Sequence, residues 1–298
     1  MLDSPSSLLA GIGAEIAAGH LIPFLGPDVL TLEAEPPVPV GARALATALA
    51  AKVGVPGRIK QNLWHSAQYI ETHKHRMTLD KLMAGFFQAV PEPNSLHRWL
   101  AGLPRLPLVV DTWYDGAMKA AFEAVGRDNW GIVQGCSKAR RLDGGVWSRA
   151  VTPDGATVPD GVAEGWRTVL YKPHGAAQPT GDVLVSDSDY VEVLTDIDIG
   201  TPIPQVVKDR RAGRGFVFLG CRFYDQILRT FARQIAKHSG GPRYAVVPKD
   251  LTRNELKFLE IEGISPITMP LAEAVALMSA AGPNRPPPPL GEDNPWPT

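Results

Sequence analysis

Residues 215–238 read GFVFLGCRFYDQILRTFARQIAKH, and this stretch decides the fold. Gly215–Gly220 is the most apolar run in the chain, the pattern of a buried strand. It ends at a glycine, after which Ile227, Leu228, Phe231 and Ile235 recur at helical spacing. Working outward, RYAVVP, NELKFLEIEG, SPITMP and LAEAVALMSAAG repeat the same alternation towards the C-terminus. Towards the N-terminus, Leu21–Val29, Pro107–Trp113 and Thr168–Gly175 are further strands, each running into a turn. Helices are expected from a Ser7 N-cap to Gly19, over about 42–51, 60–73, 78–87 and 96–100, after Tyr114, from Asp187 and over 203–211. Strands alternating with helices predict a Rossmann-like, doubly wound α/β domain with a mostly parallel sheet.

The domain is expected to span residues 1–282, with a helical insertion at about 42–100 and an irregular one at about 129–167. The second of these is rich in Gly, Asp, Pro and Arg, with isolated tryptophans at 130, 147 and 166, and reads as short strands and loops, an excursion from the core rather than a separate domain. Residues 283–298, PNRPPPPLGEDNPWPT, have little to pack and are expected to form a flexible or polyproline tail. Such a tail suits an aromatic-lined groove on a protein partner.

Composition narrows the function classes. With 298 residues and 44% hydrophobic content, the chain is long enough for a sizeable core. Thirty basic and 31 acidic side chains give no general attraction to nucleic acid or anionic lipid. Only two cysteines, Cys136 and Cys221, exclude a disulfide framework and a four-cysteine zinc site. No metal site is expected: His65 and His73 are eight apart on a helical stretch, which is not a ligand spacing. The start carries Glu15 and no basic leader, and no apolar run approaches membrane-spanning length, so a cytoplasmic location is expected.

In an open parallel sheet, ligands bind beyond the carboxyl ends of strands, so four strand ends are candidates. Gly26-Pro27-Asp28 follows the first, where a glycine lets backbone approach a phosphate or ribose. Asp111-Thr112-Trp113-Tyr114-Asp115 follows the second, with Asp115 equally suited to capping the next helix. Lys172-Pro173-His174-Gly175 follows the third and offers a histidine for proton transfer. Gly220-Cys221-Arg222 follows the fourth, where Arg222 suits either a phosphate or a surface carboxylate.

In their order FLGPD, LPRLPLVVDTWYD, VLYKPHG, LVSDSDYVEVL and FVFLGCRFYDQILR, these segments resemble the SIR2-like family. That family comprises bacterial, zinc-less relatives of sirtuins that often act as NAD+ glycohydrolases. The resemblance covers roughly residues 19–270. It implies that Gly26 lies in the first nucleotide loop and that Gly220 receives the adenosine half. It makes His174 the acid/base or ribose-orienting residue, with Asp115 or Asp111 stabilising positive charge on the sugar. Asp28, Trp113 and Arg222 join Gly26 and Gly220 as expected nucleotide contacts.

The sequence departs from the family pattern at two points. Trp113 stands where the family's TTNYD segment has its catalytic asparagine. An amide can position a water and a ribose hydroxyl together, whereas an indole has one donor and no acceptor. Pro27 also removes a backbone donor that could have faced phosphate. Two functions therefore stay open: an enzyme hydrolysing the nicotinamide glycosidic bond of NAD+, or a catalytically impaired module. The latter would hold NAD+ or ADP-ribose and act through a partner, with Trp113 stacking on a flat ring. A third possibility is a scaffold acting through the tail, and a homo-oligomer is compatible with any of these.

Overall fold

The computed structural model describes residues 5–137, 147–196 and 203–280. The proline-rich tail lies outside the described residues. The strands are β1 (Leu21–Leu25), β2 (Leu108–Asp111), β3 (Trp130–Gly135), β4 (Ser148–Val151), β5 (Thr157–Val158), β6 (Thr168–Lys172), β7 (Gly175–Ala176), β8 (Asp182–Val183), β9 (Gly215–Leu219), β10 (Arg243–Val247) and β11 (Ser265–Thr268). The helices are α1 (Pro5–Ala18), α2 (Gly41–Lys52), α3 (Leu63–Lys74), α4 (Arg76–Phe86), α5 (Ser95–Gly102), α6 (Ala117–Ala124), α7 (Asp160–Glu164), α8 (Asp187–Asp196), α9 (Gln205–Arg211), α10 (Gln226–Ala236), α11 (Arg253–Ile261) and α12 (Leu271–Ala280).

Nine strands form one sheet in the order β11-β10-β9-β1-β2-β6-β3-β4-β5, and β7 pairs separately with β8. From β11 to β3 every pairing is parallel, while β4 and β5 add an antiparallel margin. Side-chain alternation explains why the central strands read as unbroken apolar runs. In β9, Phe216 and Phe218 enter one core while Val217 and Leu219 enter the other. Ile22 and Phe24 of β1 likewise face one side, with Leu21 and Leu25 facing the opposite one. A sheet covered on both faces favours apolar residues along its central strands. Helices α1, α5, α6 and α12 cover one face, and α2, α3, α4, α10 and α11 contribute to the core on the other. The fold is thus Rossmann-like and doubly wound, with a mostly parallel sheet.

The helical stretch at 42–100 is present as α2 to α5. Residues 130–135, expected among short strands and loops outside the core, form β3 inside the main sheet, paired in register with β6 from Trp130↔Thr168 to Gln134↔Lys172. Two glycines in WGIVQG dilute its apolar pattern, which hid the strand. Ser7, expected as an N-cap, lies inside α1, and α9 starts at Gln205, after Pro204. The capping at Asp225 is direct: its Oδ1 accepts from Ile227 N at 2.7 Å and starts α10.

Candidate functional site

Strand β1 sits between β2 and β9, and the chain runs on from β1 to β2 in one direction along the sheet and from β9 to β10 in the other. That reversal opens a crevice at the carboxyl ends of β1 and β9, the expected ligand position in such folds. The two glycines ending these strands face each other. A Cβ on Gly26 would overlap the Gly220 carbonyl oxygen. Gly220 has φ +64°, and a Cβ there would lie 2.6 Å from Val29 N. Both glycines are therefore required by the close approach of two turns.

This turn has no free backbone donors with which to cradle a phosphate. Gly26 N donates to Leu219 O (2.9 Å), Asp28 N to Gly220 O (3.1 Å) and Val29 N to Gly26 O (3.3 Å). Pro27 has none. The helix that follows, Pro27–Thr31, is a single short 3-10 segment. Positive charge comes from side chains instead.

Two cavities meet at the turn. The larger, about 610 Å³, is walled by Thr112 and Trp113 after β2, Arg222 after β9, Arg43 and Trp64 of the helical stretch, and Asp225 at the start of α10. The smaller, about 290 Å³, lies against Gly220 and Cys221 and the ends of β10 and β11, where Val247, Pro248, Met269 and Leu271 make it apolar. Asp28 lines both. Burial raises its carboxyl pKa above the ordinary value, with Arg222 pulling the other way. Among the described residues, no donor lies within hydrogen-bond distance of that carboxylate.

Of the predicted residues, Asp28, Trp113 and Arg222 come together at the larger cavity, while Gly220 shares the smaller one with Asp28. Gly26 lines neither and packs on Gly220. The indole Nε1 of Trp113 donates to Pro39 O at 2.9 Å. Its ring packs on Tyr114 at 5.0 Å and edge-on to Phe87 at 6.0 Å, so its single donor is already engaged. Arg222 forms a fork with Glu255, Nε to Oε1 at 2.9 Å and Nη2 to Oε2 at 3.2 Å. Burial alone would raise the Glu255 pKa, but Arg222, Thr252 and the Phe223 amide hold it at about 2. Of the two roles open to Arg222, the carboxylate is met, though on a buried partner rather than a surface one, and the guanidinium still borders the cleft.

Asp111 and Asp115 line neither cavity, and protein donors engage both. Asp111 Oδ2 accepts from Lys172 Nζ at 2.7 Å and Oδ1 from Trp113 N at 3.2 Å. Burial pushes its carboxyl above the ordinary range against the pull of Lys172. Asp115 Oδ1 accepts from Ala117 N at 2.8 Å and holds the first turn of α6, while its carbonyl accepts from Lys172 at 2.9 Å. Lys172, quoted with its motif but given no role by sequence, thus ties the ends of β2 and β6 together.

His174 is buried, and the two cavities are lined without it. Its Nδ1 lies 2.9 Å from the Tyr190 hydroxyl, which also donates to Leu184 O at 2.8 Å. The tautomer decides which atom donates in the first contact: where the hydroxyl proton lies on the carbonyl, Nδ1 donates and Nε2 carries a bare lone pair. Nε2 is buried, with no hydrogen-bond partner among the described residues. Burial, reinforced by the Lys172 charge, pushes the His174 pKa down to about 3, so the ring is neutral. Phe231 packs against it at 4.6 Å, and Tyr190 packs edge-on to Trp64, which lines the larger cavity. An aromatic layer therefore lies between the histidine and the cleft.

Arg43, Asn62, Trp64 and Asp225 are wall residues that no sequence motif singled out. Asn62 and Asp225 both cap helices, and Asn62 Oδ1 accepts from His65 N at 3.0 Å. Only tertiary folding of the helical stretch over the strand ends brings them into the cleft. Among the described residues no cluster of three His, Cys, Asp or Glu could hold a metal ion, and no helix is long and apolar enough to cross a membrane.

A doubly wound sheet with a two-part crevice at its switch point defines a nucleotide-binding class of domain. A family model described as a SIR2-like domain matches residues 107–267, just over half of the chain, from the start of β2 to β11. The chain belongs to the SIR2-like family, and membership implies NAD binding. No curated protein matches it.

Proposed function

We propose that this chain binds NAD+ or ADP-ribose across the switch point. The adenosine half occupies the smaller cavity, and the rest of the ligand lies in the larger one beside Trp113. The observation that carries the reading is the meeting of cavities of about 610 and 290 Å³ at Asp28, beyond the ends of β1 and β9. Arg222 and Arg43 supply the charge for a diphosphate, in place of the backbone donors that the turn uses internally. Trp113, with its donor held by Pro39, serves as an apolar wall for a flat ring rather than as an activator of water. Calorimetric titration of the full chain with NAD+ and with ADP-ribose tests this. Saturable one-to-one binding of either supports it, and no binding of both removes it.

Hydrolysis of NAD+ is the second reading, favoured by the unpartnered Nε2 of His174. Water would add to the ribose carbon as the bond to nicotinamide breaks, the electron pair leaving with neutral nicotinamide and the water proton passing to Nε2. His174 must first gain access through the aromatic layer, and its low pKa makes it a weak base while it stays buried. Nicotinamide release by wild type that disappears in His174→Ala supports hydrolysis. Release only by Trp113→Asn, with none from wild type, supports a binding module descended from an enzyme.

A further inference from the structure

Asp28 combines three properties that other residues at the crevice lack. It borders both cavities, it is half-buried, and among the described residues no protein donor meets its carboxylate. A half-enclosed carboxylate without a donor is costly unless a ligand brings one. Phosphate oxygens bring only acceptors and negative charge, so they are repelled. A ribose brings vicinal hydroxyls, and a carboxylate can accept from both. The smaller cavity, lined by Val247, Pro248, Met269 and Leu271, suits the flat apolar body of a base. A sugar attached to such a base would lie at the mouth of that cavity, where Asp28 stands.

Resting on the nucleotide reading above, we propose that Asp28 accepts the hydroxyls of the adenosine ribose and thereby selects dinucleotides without a 2′-phosphate. A 2′-phosphate would set a dianion against the carboxylate and leave it without its donors. Lys249 also lines the smaller cavity but is exposed, so its solvated charge offsets this only weakly. Arg222 is committed to Glu255 and does not neutralise Asp28 through a direct bond.

The test is calorimetric titration of the full chain with NAD+ and NADP+, in wild type, Asp28→Asn and Asp28→Ser. Wild type should bind NAD+ on the order of 100-fold more tightly than NADP+, as a site built to accept a substrate hydroxyl rejects a ligand that cannot offer it. Asp28→Asn, nearly isosteric, should weaken NAD+ about tenfold and narrow the ratio to within a few-fold, because the charge that repels phosphate is gone. Asp28→Ser should narrow it similarly, and thermal melts of each variant confirm folding. Equal affinity of wild type for NAD+ and NADP+, or a ratio unchanged in both variants, overturns the role of Asp28 while leaving nucleotide binding in place. Absence of binding to either nucleotide overturns both.

Discussion

Replacing Lys172 by Met should destabilise the protein strongly, through a charge left without its partner. Lys172 Nζ and the Asp111 carboxylate are both almost fully enclosed and 2.7 Å apart. Removing one member of such a pair costs about 3–5 kcal/mol, mostly the penalty of the orphaned charge. With a urea slope of about 3 kcal/mol/M for a chain of this size, the midpoint should fall by roughly 1–1.7 M at pH 8. The double variant Lys172→Met/Asp111→Leu removes both charges and should recover most of the loss. The pH dependence follows from linkage. Without the ammonium, the folded pKa of Asp111 rises further above its unfolded value. A raised folded pKa contributes stability that is fully present below the unfolded pKa and lost as pH climbs through the folded one. The deficit relative to wild type should therefore shrink from pH 8 to pH 5. Urea unfolding followed by circular dichroism at both values measures it. A single variant within about 0.5 kcal/mol of wild type at pH 8, or a deficit that grows at acid pH, would refute the reasoning.

Two buried neutral histidines make the fold acid-sensitive. Burial holds His97 at about 4 and His174 at about 3, so the unfolded chain binds more protons below about pH 6.5. Their contribution to stability should fall by up to ~2.7 kcal/mol per pH unit from 6.5 towards 4, and a flat urea midpoint between pH 7 and 5 would count against it. Gly220→Ala forces a side chain into φ +64° and against Val29 N, and should cost about 2–4 kcal/mol by the same unfolding assay. Cys221 and Cys136 are buried, and burial pushes the Cys221 thiol well above its ordinary value. A thiol reagent should react with neither until denaturant is added, and rapid labelling in native buffer would contradict this.

Much of the fold was legible because its central strands are buried on both faces and so carry unbroken apolar runs. GFVFLG, LIPFL and PLVVD could be read for that reason, and their order with the helices gave the doubly wound sheet. Strand β3 escaped because its glycines weaken the run that betrays a strand. The site was legible only in part. Strand ends located Asp28, Trp113, Gly220 and Arg222, since the sheet itself places them. What each group bonds to was not legible. Pairing of Asp111 with Lys172, of Arg222 with Glu255 and of His174 with Tyr190 depends on contacts between residues 16 to 61 positions apart. The glycines at 26 and 220 show the same limit. Each suggested an approach to a ligand, and each accommodates the opposite turn.

The central claim is that one extended nucleotide spans both cavities, and amide hydrogen exchange of the full chain with and without NAD+ tests it most directly. Exchange should slow in three separated segments, residues 26–31, 219–225 and 247–250, with the exposed end of α11 unchanged. Uniform exchange in all three at saturating NAD+, or protection confined to segments outside them, would contradict it.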